Sequence, residues 1–322
     1  MSVLDRTCPG AKTPSKIAAA LGTALIAAGT MTACTSGTGA GDDGTTTIGV
    51  TLNAASNPFF LAEGQAIETA AAEKRVEVSV QYANADVAVQ SDQIDTFIRQ
   101  KVDSIIVDAV DSDGIGPALL RATQANIPVV AVDVTAIGAD ATVTSDNVQA
   151  GREACTYLVE QLGGSGKVAI VDGAAVSAIS DRMQGCREAL DAHPGIEVVA
   201  TQRADLTRDK AMNVASTILT ANPDVDGFFG VNDPTAIGIS LAAQQKGVDV
   251  KVVGVDGAKQ LTDLLGKSSI IATSGQDPAQ LGRSGLDIAV RLAGGEKVDS
   301  APTLIPTVLV TADTITAYKT WG

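Results

Sequence analysis

Apolar and polar positions are arranged in blocks along this chain. Short runs dominated by apolar residues, at 47–52, 77–82, 104–108, 129–132 and 141–144, alternate with stretches whose apolar residues recur at helical spacing, as at 61–74, 91–101 and 117–124. A second series follows at 167–171, 196–201, 227–230, 251–255 and 270–274, with a helical stretch at 210–220 among its connections. The strand-like runs are mostly continuous rather than alternating, which fits burial on both faces of a parallel sheet. Two series of about five βα units predict an α/β protein of two doubly wound, Rossmann-like lobes, with the change of lobe near Ser145-Asp146-Asn147. A helical stretch at 278–293 and a strand at 304–310 are left over; if the chain crosses back, they complete the two lobes and build a hinge of several strands.

Polar groups gather at the ends of these strands. Val129-Val130-Ala131-Val132-Asp133 and Val252-Val253-Gly254-Val255-Asp256 close in the same way, and the first strand runs into Asn57-Pro58-Phe59-Phe60. In an open α/β sheet, ligands bind beyond the carboxyl ends of the strands. The pattern therefore points to a site for a small polar ligand.

The amino terminus sets the compartment. Arg6, Lys12 and Lys16 precede an apolar, Ala- and Gly-rich stretch at 17–31 that is short for a bilayer span, the layout of a secretory signal. Met31-Thr32-Ala33-Cys34 then resembles the lipobox of bacterial lipoproteins, with Cys34 as the lipidated residue; a plain Ala-x-Ala cleavage site is the alternative. Residues 1–33 are thus expected to be a lipoprotein signal peptide and 34–46, rich in Gly, Thr and Ser, a flexible tether. Removing 33 of 322 residues leaves 289, enough for two lobes each with its own core. The leader carries three of the 23 basic residues and one of the 37 acidic ones, so the exported chain has a net charge of −16, which argues against nucleic acid as a partner.

Of four cysteines, Cys8 leaves with the leader and Cys34 takes the lipid. Cys155 and Cys186 lie in helical stretches on either side of one strand, and an oxidising compartment favours a disulfide between them over two buried thiols. A single histidine, His193 in a turn, supports neither a metal site nor a Ser-His-Asp arrangement. Gly37-Thr38-Gly39-Ala40-Gly41 precedes the first strand and Gly163-Gly164-Ser165-Gly166-Lys167 leads into one, the wrong order for phosphate-binding loops. Asp108, Asp111, Asp113 and Gly114 resemble a calcium loop, but Ala109 stands where the first ligand would be, so a loop with a helix cap is the reading. No cofactor is expected, and the chain is read as a binding protein rather than an enzyme.

Ordered segments across the chain carry a resemblance: Asn53 through Asn57-Pro58-Phe59-Phe60, Ala125-Asn126-Ile127-Pro128-Val129, Ser145-Asp146-Asn147, Asp181-Arg182-Met183-Gln184-Gly185, Asn232-Asp233, Val253-Gly254-Val255-Asp256-Gly257 and Gln276 before Pro278. In these the chain resembles the type I periplasmic binding proteins of bacterial sugar importers, nearest the ribose-binding group, from Thr47 to Val310. The resemblance implies lobes at 47–146 plus 277–304 and 147–276 plus 305–322, joined by three crossings. It implies a monosaccharide, pentose-like, or a short polyol enclosed between them and delivered to an ABC transporter permease by a monomer held at the membrane. A sensory receptor for a sugar-like signal such as a furanosyl autoinducer is an alternative, and an exported enzyme on the same fold a remoter one.

Carried onto this chain, the resemblance assigns ligand contacts to Asn57, Phe59, Phe60, Asp133, Arg182, Asn232, Asp256 and Gln276. The chemistry agrees: planar carboxylate, amide and guanidinium groups can each engage two adjacent hydroxyls, and an aromatic ring covers a C–H face. Each has a plainer reading. Asn57 can cap the helix that Pro58 opens, the two Phe can be core, the two Asp can cap following segments, and Arg182 can pair with Asp181 or Glu188. As ligand groups, Asp256 and Arg182 should be removable without harm to the unliganded fold. Two positions depart from the family pattern, Val134 where an Arg is expected and Leu206 where an aromatic is expected, so ligand choice should differ from ribose itself.

Overall fold

The computed structural model describes residues 45–174 and 176–322; the expected leader, Cys34 and nearly all of the tether lie outside the described residues. In chain order the first half consists of β1 (Thr47–Leu52), α1 (Pro58–Lys74), β2 (Glu77–Tyr82), α2 (Val87–Gln100), β3 (Ser104–Val107), α3 (Gly116–Gln124), β4 (Val129–Val132) and β5 (Ala141–Ser145). The second half runs α4 (Asn147–Gln161), β6 (Ser165–Asp172), α5 (Ser177–Asp191), β7 (Gly195–Arg203), α6 (Arg208–Ala221), β8 (Gly227–Gly230), α7 (Asp233–Lys246), β9 (Lys251–Asp256), α8 (Lys259–Thr262) and β10 (Ile270–Gly275). It closes with α9 (Pro278–Ala293), β11 (Thr303–Ile305) and β12 (Val308–Thr311).

The strands form two six-stranded sheets, ordered β11-β5-β4-β3-β1-β2 and β12-β10-β9-β8-β6-β7. Every pairing is parallel except that of β10 with β12. The inner strands β3, β4 and β8 are buried at every position, as continuous apolar runs require when helices cover both faces of a sheet. Helix starts follow Asx chemistry. Asn57, Asp86, Asp146, Asn232 and Asp277 each accept a hydrogen bond from a first-turn N–H, and Pro follows in α1, α7 and α9.

The chain changes sheet three times, after β5, after β10 and between β11 and β12. α9 returns to the first lobe, where Leu286 and Ala289 join Ile48, Val50, Ile106, Val130 and Val132 in one core, and Leu281 packs with Phe59, Val143 and Ile305. The single strand expected at 304–310 is corrected to two. Pro306 has no N–H to offer a ladder, and Thr307 turns its hydroxyl to Glu153 of α4 at 2.9 Å, so pairing stops between Ile305, opposite Ser145, and Val308, opposite Gly275. One apolar run thereby serves both sheets.

Candidate functional site

The carboxyl ends of the central strands of both sheets converge on one cleft. On the first sheet, β1 leads to Asn53 and on to Asn57, whose Oδ1 accepts from Phe59 N at 3.0 Å and caps α1. That capping leaves the Asn57 amide NH2 free for the cleft, so the plain and the functional readings of this residue hold together. Phe59 is buried in the core and meets Phe60 and Trp321 edge to face, both at centroid distances of 5.5 Å; Phe60 is half-buried. β3 leads directly to Asp108 and β4 to Asp133, which has φ 61° and is 7% exposed. A non-glycine residue in the left-handed region costs about 1–3 kcal/mol and persists where the surroundings hold it. Here the Asp133 backbone is fixed by Asp133 N to Val143 O at 2.9 Å and by the Thr144 hydroxyl to its carbonyl at 2.5 Å. Among the described residues no donor reaches its carboxylate, and Oδ1 is fully enclosed.

The second sheet supplies a pre-bonded wall. α4 and α5 cross so closely that a Cβ on Gly151 would lie 1.9 Å from the Arg182 carbonyl oxygen and one on Gly185 1.9 Å from that of Val148. The expected disulfide between Cys155 and Cys186 ties the same two helices. This contact sets Arg182, 4% exposed, at the base of the cleft. Its Nε donates to Asn147 Oδ1 at 2.8 Å and its Nη1 to Val231 O at 2.9 Å and Asp256 Oδ1 at 3.3 Å. Arg182 bonds neither Asp181 nor Glu188; the latter pairs with Arg152. Asp256 ends β9 at φ 139° and also accepts from Gln276 Nε2 at 2.9 Å and from Asp233 N, at the start of α7, at 3.3 Å. It caps no segment following it. Asn232 caps α7 through Thr235 N at 2.9 Å and turns its amide toward Leu206 O at 3.4 Å.

All eight proposed contacts, together with Val134 and Leu206, line one cavity of roughly 60 Å³. The lobes touch at its rim, where Thr135 N donates to Ser177 Oγ at 2.8 Å and Ser177 N to Ser112 Oγ at 3.4 Å. The opposing wall at Ala174, Val176, Ala178, Ile179 and Leu206 is aliphatic, so aromatic cover comes only from the Phe59–Phe60 side.

Burial is the main electrostatic term. It pushes Asp133 and Asp256 each up to about 6 against the pull of Arg182, and the negative charge of Asp256 adds to the rise at Asp133. Burial likewise holds Asp108 and Glu63 well above the usual carboxylate range. No amide or hydroxyl donor reaches either oxygen of Glu63 or Oδ2 of Asp108. The two carboxyls adjoin, and a proton held between them would bridge the pair.

Asp256 and Arg182 thus bond within the protein as well as facing the cleft, which bears against the expectation that their loss would spare the unliganded fold. Three participants were not assigned to the site from sequence. Asp108 ends a strand as Asp133 and Asp256 do, a signal obscured by its place in the calcium-like loop; there Asp111 caps the turn by accepting from Asp113 N and Gly114 N. Glu63 is a charged residue on the buried stripe of α1 at Phe59, Glu63, Ile67 and Ala70. Asn147 holds Arg182. Among the described residues no group of side chains could hold a metal ion, and the His193 ring sits against its own helix, Nδ1 2.9 Å from Ala189 O.

Comparison with known proteins adds independent observations. A model of the periplasmic binding protein domain matches residues 48–297. The chain is 31% identical over 267 residues to the ribose import binding protein RbsB of Bacillus subtilis, covering 81% of this chain and 87% of that one. It is 32% identical over 297 residues to a xylitol-binding protein of Mycolicibacterium smegmatis, covering 90% and 84%. Among solved structures, an ABC transporter solute binding protein from Bacillus halodurans with bound myo-inositol superposes with a TM-score of 0.81 at 29% identity, over 86% of this chain and 98% of that one.

Proposed function

Since the chain belongs to the periplasmic binding protein family, we propose that it captures a neutral monosaccharide or short polyol between its two lobes outside the cytoplasm and delivers it to an ABC transporter permease. The observation that carries this reading is the convergence of Asp133, Arg182, Asn232, Asp256 and Gln276 on one interlobe cavity beside Phe60. Ribose and xylitol, named for two relatives, bracket the ligand class.

Residues 47–146 with 277–305, and 147–276 with 306–322, act as the two bodies of a hinge, the boundary expected at 304 moving past Ile305, which pairs with Ser145 in the first sheet. Closing an empty cleft brings the carboxylates of Asp133 and Asp256 toward each other at a cost in desolvation and repulsion. A ligand whose hydroxyls donate to both lowers that cost, which is the differential affinity closure requires. The protein binds without turnover, works as a monomer and is anchored by lipid on Cys34. Cys34→Ser should release it from the membrane fraction into the medium.

A thermal-shift screen of pentoses, hexoses and short alditols tests the main reading. A ligand at about 100 times its Kd adds roughly 2.7 kcal/mol, an upward shift of roughly 5 °C or more for a chain of this size. A flat response to every sugar and polyol, with a shift from amino acids or organic anions, would overturn it.

A further inference from the structure

The open hydrogen-bonding groups of the cleft are unequally divided between donors and acceptors. The one charged donor, Arg182, already gives Nε and Nη1 to Asn147, Val231 and Asp256, leaving Nη2. Both oxygens of Asp256 are occupied as well. On the acceptor side, the Asp133 carboxylate and Gln276 Oε1 receive nothing from the described residues.

Asp108 joins them. It is 1% exposed, lines the cavity and sits on a backbone that is firmly built: its N donates to Thr51 O at 2.9 Å, and the fully buried Gln90 amide grips the turn at both ends, donating to Asp108 O at 2.7 Å and accepting from Val110 N at 2.9 Å. As a carboxyl group, Asp108 presents oxygens and no N–H to the cavity. Val134 adds no donor to this wall.

We propose that Asp108 is a ligand contact and that, with Asp133 and Gln276, it makes the site select acyclic alditols over cyclic aldoses of the same carbon count. The proposal rests on the solute-capture reading and sharpens it. Every oxygen of an alditol is a hydroxyl that can donate to these acceptors. An aldopyranose has a ring oxygen that can only accept, and against this wall that oxygen and a facing carboxyl oxygen both go unpaired. A cyclitol also has hydroxyls alone, but its rigid disc is best covered by flat groups on both faces, and here only one face meets aromatic rings. A flexible chain conforms to one aromatic and one aliphatic wall.

The test is isothermal titration of the exported chain with the matched pairs xylitol and D-xylose, ribitol and D-ribose, with myo-inositol as a further arm. The expected result is that the better alditol binds about tenfold or more tighter than its aldose and tighter than myo-inositol. Asp108→Asn, which keeps shape and supplies an N–H, is expected to reduce that ratio about tenfold while far-UV circular dichroism stays unchanged. An aldose or myo-inositol bound as tightly as the alditols overturns the proposal and leaves solute capture standing. An unchanged ratio in a folded Asp108→Asn protein overturns the role of Asp108. Absence of heat with every compound overturns both the proposal and the reading beneath it. The wild-type ratio decides the ligand class even where the variant does not fold.

Discussion

The two walls of the cleft are built to different plans. On the second lobe, Arg182, Asp256 and Gln276 bond to one another, and Arg182 is further held by Asn147, Val231 and a helix pair closed by a disulfide. On the first lobe, Asp133 and Asp108 face the cavity with no protein donor on the oxygens that reach it. One wall is largely bonded within itself, leaving Gln276 Oε1 and Arg182 Nη2, whereas the other is completed only by what binds. The energetic consequence is that the same residue type has opposite effects on stability in the two places. Asp256 neutralises a buried guanidinium, whereas Asp133 is a buried charge without a bonded partner.

Replacing the two carboxylates separately gives the largest contrast. Asp256→Ala leaves Arg182 charged, buried and unpaired, and should cost about 3–5 kcal/mol in urea unfolding as well as abolishing binding. Asp133→Asn should abolish binding while leaving the unfolding midpoint equal to or above that of the parent at pH 7.5. Equal destabilisation by both would erase the distinction between the walls. The disulfide comes next. Cys155→Ala with Cys186→Ala removes a link between residues 31 apart in sequence, for which chain entropy gives about 3–4 kcal/mol. Because that link braces only the second wall, the expected result is a large loss of thermal stability with the ligand rank order preserved.

Acidity separates the walls more gently. Asp133 and Asp256 sit near 6 in the folded protein, above the ordinary 3.8. The native state therefore holds protons more tightly than the unfolded chain between about pH 4 and 6. The contribution of these groups to the stability of the empty protein accordingly falls as pH rises through that window and is level above it. Binding runs the other way, since hydroxyl donors favour the ionised forms. Affinity should fall about tenfold from pH 7.5 to 5 for each carboxylate that must be ionised, measured by titration at constant ionic strength. The smallest effect is expected from Leu206→Phe, which gives the aliphatic wall a ring; cover of that kind is worth about 0.5–1.5 kcal/mol and should improve cyclic sugars more than alditols.

Much of this contrast could be read from the chain, and the unread part has a physical pattern. Strand-end Asp133 and Asp256, the Asn-Pro cap at 57–58 and the paired cysteines are local signals, visible because each couples a residue type to a position in an element. The division of 304–310 between two sheets was hidden because periodicity describes one strand and not which sheet receives it; the cue was Pro306. Glu63 and Asp108 were missed for another reason. Their chemistry arises from mutual burial, and no spacing rule connects position 63 of a helix with position 108 at a strand end. For Arg182 the reverse holds: its ligand role was proposed from sequence, while the Asn147 and Asp256 contacts that make it structural exist only in three dimensions.

The account's central claim is that a neutral, hydroxyl-rich ligand completes the first-lobe wall by donating to its carboxylates. Titration calorimetry at pH 6 in two buffers of different ionisation enthalpy, with the tightest-binding polyol, measures this through proton linkage. With Asp133 near 6, binding should release about half a proton at this pH. Proton uptake, or binding with no proton exchanged at this pH, would contradict the claim.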